Sequence, residues 1–140
     1  MNNARASIHD YAAEQMNHLL TTLVFQIHRA AKRVGPDEIH DVRVSIRRFS
    51  QGLELFVGFY PKWEVKKIER RLTRMMKLTN EIRDRDIGLE YLGNSRKNTL
   101  RRRLVRERLE HQREFIEMVR RWTARDFSKK WRTALSLHNV

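Results

Sequence analysis

The chain has 140 residues and carries 30 lysines and arginines against 17 aspartates and glutamates, which gives a net charge of +13. This length predicts one domain over residues 1–140 with a real core, and the charge predicts attraction to polyanions. The absence of cysteine excludes disulfides, thiol catalysis and cysteine-ligated zinc. No apolar run reaches the ~20 residues that span a bilayer, and the N-terminus lacks the apolar stretch of a signal peptide. We therefore expect a cytoplasmic protein that does not enter a membrane.

Apolar residues recur every three or four positions along the chain, which predicts an all-α fold, an antiparallel bundle of about five to six helices. A first helix is expected over about residues 7–33. Gly35 and Pro36 interrupt it, and Asp37 is expected to cap a second helix over about residues 38–57. The second helix carries an unbroken apolar ladder: Ile39, Val42, Ile46, Phe49, Leu53 and Phe56.

A third helix is expected from Pro61 onward, since proline suits the first turn of a helix. A break near residues 79–84 is expected to start a short fourth helix, about residues 84–92, with Asp84 and Asp86 in its first turn, where the macrodipole favours anions. A loop over residues 92–98 then precedes the C-terminal helices of residues 98–137. These are a long helix, about 98–123, and a short amphipathic one.

Basic residues form rows beside the apolar faces of three consecutive predicted helices. On helix two, His40, Arg43 and Arg47 share one side at spacings of three and four, whereas Arg48 points elsewhere. Helix three supplies Lys66, Arg70, Arg74 and Lys77, and the end of helix one supplies Arg29, Lys32 and Arg33. The guanidinium fork suits phosphate oxygens, so the rows favour an anion site. An ordinary solvated surface is the alternative.

Two short motifs resemble the signatures of the CHAD family, the helical domain named for its histidine. The first consists of His40, Arg43, Val44, Arg47 and Arg48, and the second of Arg83, Asp84, Asp86 and Ile87. They occur in the family's order. The resemblance implies a helical bundle that binds inorganic polyphosphate in a basic groove without catalysing a reaction, and that recruits proteins to polyphosphate or associates with its granules.

By motif match, the resemblance carries a phosphate-contact role over to His40, Arg43, Arg47 and Arg83. The full candidate set adds basic residues of the neighbouring rows, for which the carry-over is less direct: Arg48, Arg70, Arg74, Lys77 and Lys32. Asp84 and Asp86 are expected either to orient the groove arginines or to cap helix four.

The resemblance covers residues 19–93, the first of the two related halves that family members usually have, and the second basic signature is absent. Either half a groove is sufficient or a second chain supplies the rest. The long helix 98–123 has two apolar stripes: Leu100, Leu104, Phe115, Met118 and Trp122 on one side, and Val105, Leu109, Ile116 and Val119 on the other. One hypothesis is a two-fold homodimer through this helix. The alternative is a helix buried on both sides within one chain.

Other chemistries have less support in the sequence. The six histidines include no i, i+4 pair typical of a helical zinc site, and neither a glycine-rich phosphate loop nor a nucleophile–base motif is present. We therefore expect no metal, no cofactor and no enzymatic activity. Nucleic-acid binding is the second choice, because any basic helical protein contacts phosphates, although few aromatics interleave with the charges. A scaffold for acidic partner proteins is the third.

Overall fold

The computed structural model describes residues 2–93 and 99–137, with side chains from residue 7 onward. Within these ranges the chain forms helices joined by short connections and has no strand: α1 (Asn2–Lys32), α2 (Pro36–Leu55), a 3-10 turn (Val57–Phe59), α3 (Lys62–Leu92), α4 (Thr99–Ala124) and α5 (Phe127–Ala134). The predicted all-α bundle is confirmed.

Helices α1 and α2 form an antiparallel pair. Arg29, near the end of α1, pairs with Asp41, near the start of α2, at 2.8 Å. At the other end of the pair, Gly52 lies against Met16, and a Cβ on Gly52 would be 2.5 Å from the Met16 sulfur. Glycine at this position therefore allows the two helix backbones to approach closely.

Helices α3 and α4 continue the antiparallel order. Arg43 of α2 reaches Thr79 in the middle of α3, and Arg85 of α3 pairs with Glu107 of α4 at 3.0 Å. The short α5 closes one end of the bundle, where the ring of Trp131 stacks on Phe49 of α2 at 5.9 Å.

The core runs along the centre of the bundle and receives apolar side chains from all five helices. The ladder predicted for α2 is buried from Ile39 to Leu53, and only its last member, Phe56, is partly exposed. In α1 the buried apolar residues are Ala12, Met16, Leu20, Leu23, Ile27 and Ala30, whereas Ile8 is 54% exposed.

The predicted break near residues 79–84 is wrong, because α3 runs without interruption from residue 62 to residue 92. The sequence there looks polar, yet Thr79 is fully buried and its hydroxyl donates to the carbonyl oxygen of Met76 at 3.0 Å. Ile82 continues the buried stripe one turn later. The apolar face therefore persists through the polar residues, and no separate fourth helix begins at Asp84.

Two smaller predictions about helix starts also change. Helix α3 begins at Lys62, so Pro61 is its N-cap residue and does not lie in its first turn. Gly35, in extended conformation, is the N-cap residue of α2, and Pro36 occupies the first helical position, so Asp37 lies in the first turn and is not the cap. Helix α3 ends at Leu92 and is followed by Gly93 at a φ of 62°, a left-handed conformation that favours glycine. The rest of the loop predicted over residues 92–98 lies outside the described residues.

The apolar residues of α4 divide along its length. Phe115, Val119 and Trp122 in its C-terminal half are buried in the core, whereas Leu100 and Leu109 in its N-terminal half are 49% and 45% exposed. Within one chain, the two predicted apolar stripes are therefore buried only in the C-terminal half of α4. The homodimer through this helix stays a prediction.

Candidate functional site

Arg43 is the centre of the candidate site, in the seam between α2 and α3. Its side chain emerges beside the buried α2 ladder and is itself only 8% exposed. The guanidinium Nη1 donates to the carbonyl oxygen of Met76 at 3.2 Å and to the hydroxyl of Thr79 at 3.4 Å. One edge of the guanidinium is therefore held by α3, and its orientation is fixed before any ligand arrives.

Charges from both helices act on Arg43. Burial lowers the pKa of its guanidinium from the ordinary value, the positive charges of Arg47 and Arg83 lower it further, and Asp84 partly offsets them. An arginine nevertheless stays protonated in proteins. The site is therefore a concentration of fixed positive charge with Asp84 as a counter-charge.

Two clefts flank Arg43 along the seam. The first has a volume of about 480 Å³ and brings Arg43 and Arg47 together with Lys77 of α3. Its remaining lining residues include uncharged hydrogen-bonding groups and one carboxylate: Ser50, Gln51, Thr73, Asn80 and Glu54. Because α3 runs antiparallel to α2, basic residues far apart in sequence line the same cleft here.

The second cleft, of about 420 Å³, lies between the start of α2 and the end of α3. It contains His40 and Arg83, together with the carboxylates of Asp86 and Glu90. We refer to the two clefts, with their five basic residues His40, Arg43, Arg47, Lys77 and Arg83, as the α2–α3 groove.

The remaining candidate residues lie elsewhere. Arg48, Arg70, Arg74 and Lys32 are exposed, and none of them lines either cleft of the α2–α3 groove. Arg70 and Arg74 belong to the basic row predicted for α3. Of that row, only Lys77 lines the first cleft.

The basic residues of the groove differ from many other arginines of the fold in lacking acidic partners. Among the described residues, His40, Arg47 and Arg83 form no ion pair, and Arg43 donates only to uncharged oxygens. In contrast, four arginines outside the groove pair with carboxylates: Arg29 with Asp41, Arg85 with Glu81 and Glu107, Arg103 with Glu107, and Arg108 with Asp86. The groove cations thus remain available for an external anion.

The two acidic residues of the second motif have separate roles. Asp84 acts on Arg43 electrostatically, in keeping with a role in orienting groove arginines. Asp86, although it lines the second cleft, binds Arg108 of α4 at 2.9 Å. Neither caps a helix, because both lie well inside α3.

A further cationic cluster was not identified from the sequence. It surrounds a cavity between α3 and α5 and contains Lys67, Arg71, Arg125 and Lys130. The i, i+4 spacing of Lys67 and Arg71 places these two on one face of a helix. Nothing local connects them with residues more than fifty positions later, so only the docking of α5 brings the cluster together.

A family model of the CHAD domain matches residues 11–139. The chain belongs to the CHAD family. The match extends beyond the first half, residues 19–93, on which the sequence resemblance rested, and it includes α4 and α5 of this CHAD domain. No curated protein and no solved structure matches the chain.

Within the described residues, no group of three or more histidine, aspartate or glutamate side chains is arranged to hold a metal ion. No helix there is both long enough and apolar enough to cross a membrane.

Proposed function

We propose that this protein binds inorganic polyphosphate along the α2–α3 groove and does not alter it chemically. CHAD domains are known as polyphosphate-binding domains and are generally non-catalytic. The observation that carries the proposal is the placement of Arg43, which is buried, anchored on α3 by two hydrogen bonds and close to the positive charges of Arg47 and Arg83. The same binding would recruit the protein to polyphosphate granules in the cytoplasm.

The geometry suits a chain of phosphoryl units for two reasons. First, a guanidinium already held by Met76 and Thr79 loses little side-chain entropy on binding, so more of the charge-assisted hydrogen bond contributes to affinity. Second, both clefts lie between α2 and α3, one beside Arg47 and Lys77 and the other beside His40 and Arg83, so a linear polyanion long enough to reach both would contact cations in each.

The test is a binding competition between long-chain polyphosphate and DNA at matched charge concentration, repeated over a range of salt concentrations. We expect tighter binding to polyphosphate at physiological salt. The double variant Arg43→Ala with Arg47→Ala should weaken that binding, and it should reduce the slope of log affinity against log salt by about one unit per lost phosphate contact, by analogy with counterion release from DNA.

A matched control keeps the net charge the same. Arg102→Ala with Arg106→Ala removes two exposed arginines of α4, outside the groove, and should leave polyphosphate binding nearly unchanged. If both double variants weaken binding equally, only net charge matters and the groove has no special role. Equal or tighter binding to DNA would favour a nucleic-acid ligand, and binding to neither would favour an acidic partner protein.

A further inference from the structure

The cavity between α3 and α5 is small, about 120 Å³. Its cationic groups come from three segments: Lys67 and Arg71 from α3, Arg125 from the turn before α5, and Lys130 from α5. Its apolar lining consists of the buried side chains of Ile68, Phe127 and Trp131. Glu64 is its one acidic lining residue, so positive charges outnumber negative ones more strongly here than in either cleft of the α2–α3 groove.

An open cleft of about 530 Å³ adjoins the cavity and shares Lys67 and Lys130 with it. The cleft adds the ammonium group of Lys129 and the carboxylate of Asp126. An anion can therefore reach the cavity from solvent through a cleft that is also partly basic.

The four cations of the cavity are not neutralised by carboxylates in the part of the chain that the structure describes. None of them forms an ion pair with a residue that the structure describes, whereas Arg85 and Arg108, which are similarly placed between two helices, bind carboxylates at 3.0 Å and 2.9 Å. The ammonium of Lys67 instead lies 4.8 Å from the centre of the Trp63 ring. Like charges at short range destabilise a fold, and a bound anion at this position would relieve the repulsion.

We propose that this cavity binds a terminal phosphoryl group, either of a small phosphate compound or at the end of a polyphosphate chain. A terminal group carries up to two negative charges near neutral pH and needs only one entrance. An internal unit of a chain is bonded on both sides and needs room for the chain to continue in two directions, which is more than a cavity of about 120 Å³ provides. The proposal is independent of binding in the groove.

The tryptophans of the chain allow a direct test by NMR. Trp131 lines the cavity and Trp63 contacts Lys67, whereas no tryptophan lines the two clefts of the α2–α3 groove. The indole N–H signals are followed while orthophosphate, tripolyphosphate or long-chain polyphosphate is added at equal total phosphoryl concentration and constant ionic strength. We expect saturable shifts of the Trp63 and Trp131 signals with tripolyphosphate, and smaller shifts with long chains, which have fewer ends.

Variants assign the response to the cavity. Arg125→Gln with Lys130→Gln changes two exposed residues, so the fold should persist, which circular dichroism checks. The loss of charge-assisted hydrogen bonds should weaken tripolyphosphate binding about tenfold or more. Arg47→Gln in the groove and Arg102→Gln on α4 should leave the indole response unchanged, so that failure at one site is distinguishable from failure at the other.

The possible outcomes distinguish free phosphate from the end of a polyphosphate chain, and they include results that contradict the proposal. A response to orthophosphate alone identifies free phosphate as the ligand, and a response to tripolyphosphate as well admits chain ends. The proposal is overturned if no phosphate compound produces a saturable shift, or if the shift survives in the Arg125→Gln, Lys130→Gln variant. It is also overturned if long chains shift the signals more than tripolyphosphate, because the cavity would then take internal units.

Discussion

Replacing Arg43 by methionine should separate stability from binding. Methionine has a similar length and fills irregular apolar space, so the substitution removes a charge from the seam without leaving a large cavity. The carbonyl oxygen of Met76 keeps a partner, because the hydroxyl of Thr79 donates to it at 3.0 Å. The repulsion of Arg43 by Arg47 and Arg83, which lowers its pKa together with burial, is also removed.

These terms act in opposite directions on the free energy of unfolding. Two hydrogen bonds from a charged donor are lost, each worth about 1.5–3 kcal/mol at most, but the desolvation penalty of the guanidinium and its repulsion disappear. Replacing a buried charge by an apolar group of similar volume is often neutral or stabilising. We therefore expect the free energy of unfolding of Arg43→Met to change by no more than about 1 kcal/mol. Polyphosphate affinity should fall about tenfold or more, the effect of losing one charge-assisted contact.

The assay pairs urea unfolding, followed by circular dichroism, with polyphosphate binding on the same protein sample. Arg102→Met, on the exposed face of α4, is the control of equal net charge and should change neither quantity appreciably. A variant that is destabilised by several kcal/mol yet binds polyphosphate as well as the unchanged protein would refute the reasoning. Arg43 would then be a structural arginine that joins α2 to α3.

Three further predictions concern other parts of the fold. Hydrogen bonds from Arg103 and Arg85 lower the pKa of Glu107 from its ordinary value of 4.5, so its contribution to stability is full above that pH and is lost as the pH falls below it. Glu107→Gln should flatten the fall of the unfolding free energy between about pH 5 and pH 3, and an unchanged acid profile would contradict this. Burial raises the pKa of Tyr60 to about 12, and its hydroxyl has no hydrogen-bond partner among the described residues. Tyr60→Phe should therefore raise the unfolding free energy by about 1 kcal/mol, and a loss of stability would indicate a partner for the hydroxyl. If a homodimer forms through α4, Leu109→Glu should convert it to a monomer in sedimentation at several concentrations, and a monomer without the substitution would reject the dimer.

The candidate groove could be predicted from the sequence only in part. The spacing of His40, Arg43 and Arg47 beside an apolar ladder placed them at the edge of a helix seam, because the 3.6-residue period fixes which side chains share a face. It did not identify which basic residues of α3 face them. Arg70 and Arg74 belong to the same broad row as Lys77, but only Lys77 lines the cleft. Arg70 shares a face with Lys77 about two turns away, so the selection depends on where along α3 the helix packs against α2.

The amino-acid sequence by itself determined that the protein is helical, that it is strongly cationic, and that it carries both CHAD motifs, because periodicity, charge and motif are local properties of the chain. Only the tertiary structure decided that α3 continues through Thr79, since the burial of that residue, and the hydrogen bond that its hydroxyl accepts from Arg43, depend on the packing of α2 against α3. It also decided which cations are neutralised and which are left for a ligand. Asp86 binds Arg108 of α4, while Arg71 and Arg125 meet at a cavity without acidic partners of their own. Such pairings follow from the packing of whole helices, which places residues far apart in sequence within a few ångströms and is not encoded by any short segment alone.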